Sequence, residues 1–458
     1  MKQQQAENGF QPAGIASQGG VQMTMINGYV RSISILNIMN QNYASMMKHM
    51  RRVATGLRIN SAADDPSGWA IGTRMGIEIR GLDQASRNAQ SSQSMLKVAD
   101  GAVSSTIDIL RTLKEKAIEA ANDTCTDADR RTIQKLFNEY AYQIDDNALV
   151  TFNGKYLLDG SKNSQAQAVQ QAYTNSSLGI GTSGATRLTD LTRRDGDSLR
   201  ILDTDTVHVS YVKDGKTYST SYTAASTTLG DIFAKANAID TAVFDTGGMD
   251  GTSTIGIDSH GKTVTTPDDA GAVTVKAKTA GTAGAVSGFT ISITDKNGQV
   301  KKSADCALDA FSETIQPRDA SADNTLYTQT GTKSGQGMKT ALGDMRAEAL
   351  GLKGSDGTVL DVTTKTGANA AINVLDNALE RALDQSTTIG AQSSRLDYTI
   401  SNLTTQSENL TSAMSTIMDA DMAREITEYT RANILVQAAQ AMLAQSNQNM
   451  GWFLSLLK

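Results

Sequence analysis

The sequence is poor in the residues that interrupt helices and in those that build most metal centres. Only four prolines and two cysteines occur among 458 residues, and the three histidines are scattered along the chain. Since a proline inside a helix costs about 3 kcal/mol, the proline-free stretches at both ends are suited to very long helices. No second ligand stands near any histidine or cysteine at metal-site spacing, so neither a zinc site nor a cofactor is predicted.

Catalytic and membrane signatures are missing as well. The sequence contains no His-Glu-x-x-His motif, no Gly-x-Ser-x-Gly elbow and no glycine-rich loop that ends in Gly-Lys-Ser/Thr. A net charge of −6 gives no broad electrostatic reason to bind nucleic acid or an anionic membrane. Neither an apolar run of about 20 residues nor a secretory signal peptide is found. We therefore predict that the protein is not an enzyme, binds no nucleic acid and does not insert into a membrane. If it is exported, it leaves the cell by a route that does not use a secretory signal peptide.

Both ends of the chain carry apolar residues at alternating spacings of three and four, the heptad pattern of helices that pack side by side. Three heptad series are present. The first is Leu36, Met39, Tyr43, Met46, Met50, Val53 and Leu57; the second includes Leu96, Val103, Leu110 and Leu113; the third includes Leu375, Leu379, Ile389, Leu396, Ile400, Leu403, Leu410, Met414 and Ile417. The third helix would be about 75 Å long. It must therefore pack laterally on helices of the same chain or of neighbouring molecules.

Turn signals divide the remaining chain. Polar residues 60–68 are expected to separate the first two helices, with Asp64 or Asp65 as a cap. A further helix is predicted at about 128–148, followed by a hairpin turn at Asn153-Gly154.

Between about 170 and 340 the composition shifts to glycine, serine, threonine and aspartate, with alternating β patterns. Asp214-Gly215 and Asn297-Gly298 are each predicted to join two strands, and one short helix is expected at about 229–239. The predicted fold class is mainly α with a β-rich insertion: long paired terminal helices in a coiled-coil-like bundle, plus one or two small β-rich domains.

Several segments resemble bacterial flagellins. At the N-terminal end they are residues 55–68, 81–89 and 152–154, and at the C-terminal end they are 368–381, 395–403 and 434–445. The resemblance covers roughly 25–165 and 340–458. It implies a subunit that is exported unfolded by the flagellar type III apparatus and polymerises into the extracellular filament used for swimming. The three heptad series would then form the self-assembly seam.

The resemblance also implies a division of the chain. Residues 1–22 form an atypical extension, 23–65 and 411–458 the inner core helices, 66–170 and 341–410 the helical bundle, and 171–340 an outer variable insertion. Because family members usually begin close to the motif represented by residues 26–27, we expect functional subunits to start at Met23 or Met25. The residues before that start are expected to be flexible.

The implied partners are further copies of the chain, an export chaperone, the filament cap, hook-associated junction proteins and the export apparatus. One segment is expected to bind the chaperone or to line the inner tube, and it comprises Ile434, Leu435, Ala438, Met442, Leu443, Leu454, Leu456 and Leu457. The alternative function is that of a hook–filament junction protein, which shares the terminal helices.

Innate immune receptors recognise an Arg-x-Arg-Glu-Leu segment in many flagellins. Here the corresponding stretch, with Thr112, Lys114, Glu115 and Lys116, lacks the first arginine and the leucine. The resemblance therefore does not extend to receptor recognition.

Overall fold

The computed structural model describes residues 16–239, 243–266 and 268–455. Two compact units are present, one built from the chain up to residue 84 together with residues from 403 onward, the other from residues 85–402. Two helices of more than fifty residues, α2 (Pro66–Ala121) and α6 (Lys365–Met418), contribute to both units. The model confirms the predicted class of long terminal helices with a β-rich region between them.

The first unit contains the remaining terminal helices, α1 (Ala16–Thr55) and α7 (Met422–Ser455). Helix α1 begins at Ala16, so residues 16–22 of the predicted extension are helical. No proline follows Pro12 before Pro66, and the helix continues through Gly19 and Gly20. Residues 1–15 of the predicted extension lie outside the described residues.

The predicted break between α1 and α2 is confirmed, and Asp65 is the cap. Its Oδ1 accepts hydrogen bonds from the backbone N–H groups of Ser67 and Gly68 at 3.1 and 3.0 Å. Pro66 occupies the first helical position, where its missing N–H costs nothing.

In the second unit, α2 and α6 pack with α3 (Asp127–Ala148), which confirms the helix predicted at about 128–148. Thr126 and Asp129 form a reciprocal capping box at the start of α3. Every member of the second heptad series is buried in the core that these helices share. The same core contains Phe137 and Ile144 from α3 and Leu375, Ile389 and Leu396 from α6.

A short hairpin of β1 (Thr151–Phe152) and β2 (Lys155–Tyr156) follows α3, as predicted. Both turn residues, Asn153 and Gly154, have positive φ angles of 51° and 74°. A two-residue turn of this kind matches the twist of the strands that it connects.

Four further sheets or ribbons are present in the described residues of the β-rich region. A four-stranded sheet has the order β11 (Phe311–Ile315), β3 (Gln170–Asn175), β9 (Val273–Ala280) and β6 (Phe244–Asp245). A three-stranded sheet has the order β10 (Gly288–Thr294), β4 (Thr206–Lys213) and β5 (Lys216–Thr223). Two ribbons pair β7 (Thr254–Ile257) with β8 (Thr263–Thr265) and β12 (Leu326–Gln329) with β13 (Gly337–Thr340). All these pairings are antiparallel.

Of the two strand-joining turns predicted in this region, one is confirmed. Asp214-Gly215 connects β4 to β5, which pair in register along their whole length. After Asn297-Gly298 the chain makes only one isolated bridge, between Thr294 and Val300, and then enters the helix α5 (Lys302–Leu308). The prediction of a second strand there is wrong because Ala304, Ala307 and Leu308, at helical spacing, bury one face of α5.

Aromatic side chains concentrate in the core of the β-rich region, although they make up only 5% of the sequence. Phe233 lies on α4 (Leu229–Asn237), the short helix predicted at about 229–239. The centroid of its ring is 5.3–5.8 Å from the ring centroids of Phe244, Phe289 and Phe311, and all three pairs are edge-to-face. Such edge-to-face pairs each add about 0.5–1.5 kcal/mol beyond burial.

A buried ion pair ties this β-rich region to α6. The guanidinium of Arg381 donates from Nε to Glu313 of β11 at 2.8 Å and from Nη1 to the carbonyl oxygen of Ala349 at 2.7 Å. Burial opposes the charge of Arg381, but the charge and hydrogen bonds of Glu313 outweigh it, and the pKa of Arg381 is raised. Loss of either partner would leave an uncompensated buried charge.

We expect Leu110→Ala to lower the free energy of unfolding by about 2–5 kcal/mol, because this fully buried side chain would leave a cavity between the bundle helices. Denaturant unfolding of the monomer measures the loss. Ile118→Ala, on the same helix but at an exposed position, is the control and should change stability by no more than about 0.5 kcal/mol. Equal effects at both positions would contradict the packing described here.

Candidate assembly surface

Helices α1 and α7 form an antiparallel pair in the first unit. Ser32 meets Ser446 near one end, with their Oγ atoms 2.9 Å apart, and His49 meets Glu425 near the other. The pair is held by one stripe on each helix, here called the contact stripe. On α1 it comprises Ser32, Ile35, Met39, Asn42, Met46, His49 and Val53, and on α7 Glu425, Tyr429, Ala432, Val436, Ala439, Leu443 and Ser446. Both stripes alternate spacings of three and four, as in a coiled coil.

A charged cluster lies at one end of the contact stripe. Glu425 is buried, and its two carboxylate oxygens contact His49 Nδ1 at 2.5 Å and Arg52 Nη1 at 3.0 Å. Burial alone would disfavour the charge of Glu425. Hydrogen bonds from His49 and Arg52 outweigh this effect and hold the pKa of Glu425 below its usual value. The carboxylate therefore stays ionised and paired at neutral pH, and its stabilising effect is lost only as the pH falls through that lowered pKa.

The loops beside the helix pair clasp each other through backbone hydrogen bonds. Arg58 N–H donates to the carbonyl oxygen of Met418 at 2.7 Å, and Ala420 N–H donates to that of Gly56 at 2.9 Å. Gly72 lies against the side chain of Met418, and a Cβ atom there would be 2.4 Å from the Met418 sulfur, so the methionine side chain would have to move. The clasp fixes where the chain leaves α1 and where it enters α7.

Many apolar side chains of these two helices remain exposed. On α1 they are Val30, Ile33, Leu36, Ile38, Tyr43, Met47 and Met50, and on α7 they are Met422, Ile426, Ile434, Leu435, Met442 and Trp452. A groove of about 470 Å³ lies along α7, and its lining includes Ile426, Ile434 and Leu435. Monomeric soluble proteins rarely expose contiguous apolar patches of this kind unless another molecule covers them.

Comparison with known proteins identifies the family. Residues 26–163 match the bacterial flagellin N-terminal helical region, and residues 372–457 match the bacterial flagellin C-terminal helical region. The chain is 33% identical to a flagellin of Clostridium tyrobutyricum over 430 residues, covering 93% of this chain and 99% of the relative. It is 27% identical to the flagellin of Bacillus subtilis strain 168, covering 94% and 99% of the two chains.

This chain belongs to the bacterial flagellins. It is a structural subunit of the flagellar filament, the helical propeller for swimming, and the filament is an extracellular polymer of such subunits. Among solved structures, FliC from Burkholderia pseudomallei covers 66% of this flagellin at 17% identity, with a TM-score of 0.25. That score is too low to define a relationship, and the sequence matches carry the assignment.

The first heptad series of the flagellin is divided between two surfaces. Met39, Met46 and Val53 are half-buried in the contact stripe, whereas Leu36, Tyr43 and Met50 are exposed. Leu57 is half-buried in the clasp between the loops. The first series therefore does not act as one face inside the subunit.

The second and third series are mostly covered within the subunit. Leu96, Val103, Leu110, Leu113, Leu375, Ile389, Leu396 and Leu403 are buried, and Leu379, Ile400, Leu410, Met414 and Ile417 are half-buried. These two series supply most of the apolar packing of α2 and α6 within each unit.

The predicted chaperone or inner-tube segment is largely exposed. Ile434, Leu435, Ala438 and Met442 face away from α1, and Leu443 is half-buried in the contact stripe. The side chain of Leu454 and the whole of Leu456 and Leu457 lie outside the described residues.

The degenerate receptor segment lies on α2. Glu115 is exposed, Thr112 is half-buried, Lys114 pairs with Asp376 of α6, and Lys116 pairs with Glu119 at 2.7 Å. Both lysines of the segment are thus engaged in ion pairs within the subunit.

Sequence reasoning missed the charged cluster of His49, Arg52 and Glu425. The basic run from Lys48 to Arg52 predicts a helix face that is solvated or lies between subunits. Instead, His49 and Arg52 point toward Glu425 of α7, and Lys48 Nζ lies 3.7 Å from Asp64 Oδ1. The available signal was the spacing, because His49 is three residues after Met46 and four before Val53.

Neither a metal centre nor a membrane-spanning helix is found in the described part of the chain. No group of three or more histidine, cysteine or acidic side chains there is arranged to hold a metal ion. Among the described helices, none is both long and apolar enough to cross a membrane.

We expect Glu425→Gln to weaken the α1–α7 pair by about 3 kcal/mol, because Arg52 would keep a charge without its buried partner. Hydrogen exchange of the α7 amides in assembled filaments measures the loss. Glu428→Gln is the matched control, since Glu428 contacts Arg431 only at the surface, at 3.7 Å. Unchanged protection in the Glu425 variant would show that the cluster contributes no stability to the pair.

Proposed function

We propose that this flagellin polymerises through the apolar side chains that α1 and α7 leave exposed. The observation that supports this most strongly is the division of the first heptad series. Met39, Met46 and Val53 contact the partner helix, while Leu36, Tyr43 and Met50 occupy the alternate positions in water. A second apolar face on a helix that already has a partner favours a further helix from another molecule.

The energetics agree with this proposal. Full burial of one large apolar side chain is worth about 1.5–3 kcal/mol, and thirteen such side chains are exposed in the described parts of the two helices. Association costs on the order of 4–15 kcal/mol before any contact is counted. Burial of even part of the exposed set in a neighbouring subunit would therefore offset the cost.

We propose further that the helix pair is marginal until it is assembled. The α7 contact stripe includes Ala432, Ala439 and Ser446, which bury little surface. Helices that lack sufficient tertiary packing are only weakly stable in water. A pair of this kind suits a subunit that is secreted unfolded through a type III apparatus and folds its ends as it joins the filament.

The same exposed side chains provide the proposed contacts with other proteins. An export chaperone would cover Ile434, Leu435 and Met442 before secretion, since an apolar helix face fits a hydrophobic groove. Hook-associated junction proteins and the filament cap would meet the terminal helices at the two ends of the polymer. The proposed division assigns 23–65 and 411–458 to the inner core, 66–170 and 341–410 to the bundle, and 171–340 to the outer insertion.

We expect Ile434→Asp to abolish polymerisation while it leaves the monomer folded. The side chain is 59% exposed, so a charge there costs the monomer little, but the charge would be desolvated in an interface. Sedimentation and electron microscopy measure filament formation, and circular dichroism checks the monomer. Gln437→Asp, at an exposed polar position of the same helix, is the matched control and should polymerise normally.

Normal filaments from the Ile434 variant would contradict the proposed interface. Leu403→Asp provides a contrast, because Leu403 is buried within the subunit. That substitution should lower the thermal stability of the monomer itself, and it therefore distinguishes a defect of folding from a defect of assembly.

A further inference from the structure

The strand β5 lies at one edge of the three-stranded sheet. It pairs with β4 along its whole length without a bulge, and among the described residues no strand pairs with it on the other side. In an antiparallel hairpin with a two-residue turn, the residues next to the turn exchange hydrogen bonds, and the pattern then alternates along the strand. The backbone groups that point away from β4 are therefore those of Thr217, Ser219, Ser221 and Thr223.

This edge carries none of the features that usually keep strand edges apart. Natural edges are blunted by charged side chains, prolines, bulges or a covering element. Residues 217–223 contain no charge and no proline, and Ser219, Ser221 and Thr223 are exposed. At the opposite edge of the same sheet, by contrast, aspartate side chains accept hydrogen bonds from β10. A strand from another molecule can therefore reach β5, whereas β10 is covered.

The sequence of this edge fits a second copy of itself. Residues 217–223 read Thr-Tyr-Ser-Thr-Ser-Tyr-Thr, which is the same in both directions about Thr220. If two copies pair antiparallel about a two-fold axis at Thr220, every side chain faces one of its own kind. In that register Ser219 of one copy lies opposite Ser221 of the second copy. Both residues direct backbone groups across the edge, so each such pair exchanges two hydrogen bonds.

We propose that β5 is an interaction surface at which two flagellin subunits pair edge to edge, antiparallel and centred on Thr220. The partner is a second copy of this chain, because one register satisfies the outward backbone groups and matches the side chains of both strands. Charge agrees with this choice, since like charges that face each other across a ladder are destabilising. The nearest charged side chain, Lys216, lies beyond the matched residues and is paired with Asp356 at 2.8 Å.

The tyrosines make the contact more selective than a bare strand edge. Tyr218 and Tyr222 are half-buried, and both pack on the aromatic core of the β-rich region. The ring of Tyr218 also stacks on that of Tyr211, with the ring centroids 5.2 Å apart. In the proposed register Tyr218 of one copy faces Tyr222 of the second, and aromatic cross-strand pairs favour pairing. A shift of the register would lose both tyrosine pairs.

The symmetry of the contact determines which copies meet. A two-fold contact uses the same surface on both subunits, whereas the subunits of one helical polymer are related by a rotation and a translation. The proposed pairing therefore links subunits of two neighbouring filaments. This step rests on the proposed function, in which residues 171–340 lie on the outside of the polymer. A single strand pair is a weak contact, but its repetition along two filaments strengthens the association.

The direct test changes the two serines at the centre of the edge in the full-length chain. Ser219→Lys/Ser221→Lys places two lysines opposite the two lysines of the second copy, which opposes pairing. Both serines are exposed, so the variant should fold and form filaments as the wild type does.

Hydrogen exchange and electron microscopy measure the result. In concentrated wild-type filaments we expect the Ser219 and Ser221 amides to exchange about tenfold more slowly than in dilute monomer, because they gain hydrogen bonds. The double lysine variant should lose this protection, and its filaments should no longer lie in side-by-side pairs.

A charge reversal tests the register. In Ser219→Glu/Ser221→Lys each glutamate faces a lysine of the second copy, so amide protection and filament pairs should return. Another register would not restore them, because it would not bring the opposite charges together. Ser176→Lys/Ser303→Lys adds the same charge as the double lysine variant at two exposed serines outside β5, and it should behave as the wild type.

Three outcomes would overturn the proposal: edge amides that exchange equally fast in wild-type filaments and monomer, filament pairs that persist in the double lysine variant, or a glutamate–lysine variant that stays unpaired. The β4 amides report whether the hairpin itself is intact, and the two single lysine variants replace the double variant if it is not. Failure of the wild type to form filaments would contradict the proposed function instead. Exchange of the edge amides in concentrated monomer would then test the strand pairing by itself.

Discussion

A helix of more than fifty residues is stable in water only if its apolar stripe is covered along its length. Helices α2 and α6 have 56 and 54 residues, and each supplies the cover for the other. Polar pairs follow the same alignment, from Lys114 with Asp376 to Ser407 with Asp83. The remaining elements of the second unit depend on this helix pair, because α3 packs onto it and the β-rich region is attached to α6 through Arg381 and Asn373.

The terminal helices follow the same geometric rule with a different composition. Where α2 and α6 bury leucine and isoleucine, the contact stripe of α1 and α7 contains serine, asparagine, alanine and one buried ion cluster. Such a stripe specifies the register of the two helices more than it stabilises them, since a displaced register would leave Glu425 without His49 and Arg52. The large apolar side chains are kept on the outside, where a neighbouring subunit can bury them.

The pairing of α2 with α6 could be predicted from the sequence because their heptad series consist mainly of apolar residues, and burial follows apolar character closely. The same reasoning does not separate the two halves of the first series on α1. Two sets of residues fit the spacing equally well: Leu36, Tyr43 and Met50, and Met39, Met46 and Val53. Periodicity alone does not tell which set packs on α7 and which set stays exposed. Asn42 and His49 complete the inner stripe, and a search for apolar residues passes over them. The helix α5 was not predicted from the sequence for a related reason. Seven residues are too few for a helical repeat of apolar residues to be distinguished from other patterns.

The flagellin thus treats the apolar faces of its terminal helices and the edge of β10 in opposite ways. Apolar side chains on α1 and α7 are left open, and they gain free energy only when another helix approaches at the correct spacing, which makes the contact selective. Backbone groups on a strand edge are far less selective, since almost any extended chain can pair with them. On the outer edge of β10 the carboxylates of Asp309 and Asp305 accept hydrogen bonds from the N–H groups of Ile291 and Ile293. This closure costs desolvation, since burial raises the pKa of Asp309 to about 6. A subunit that must polymerise in one geometry gains from this asymmetry, because an open strand edge at β10 would accept partners without regard to the register of the terminal helices.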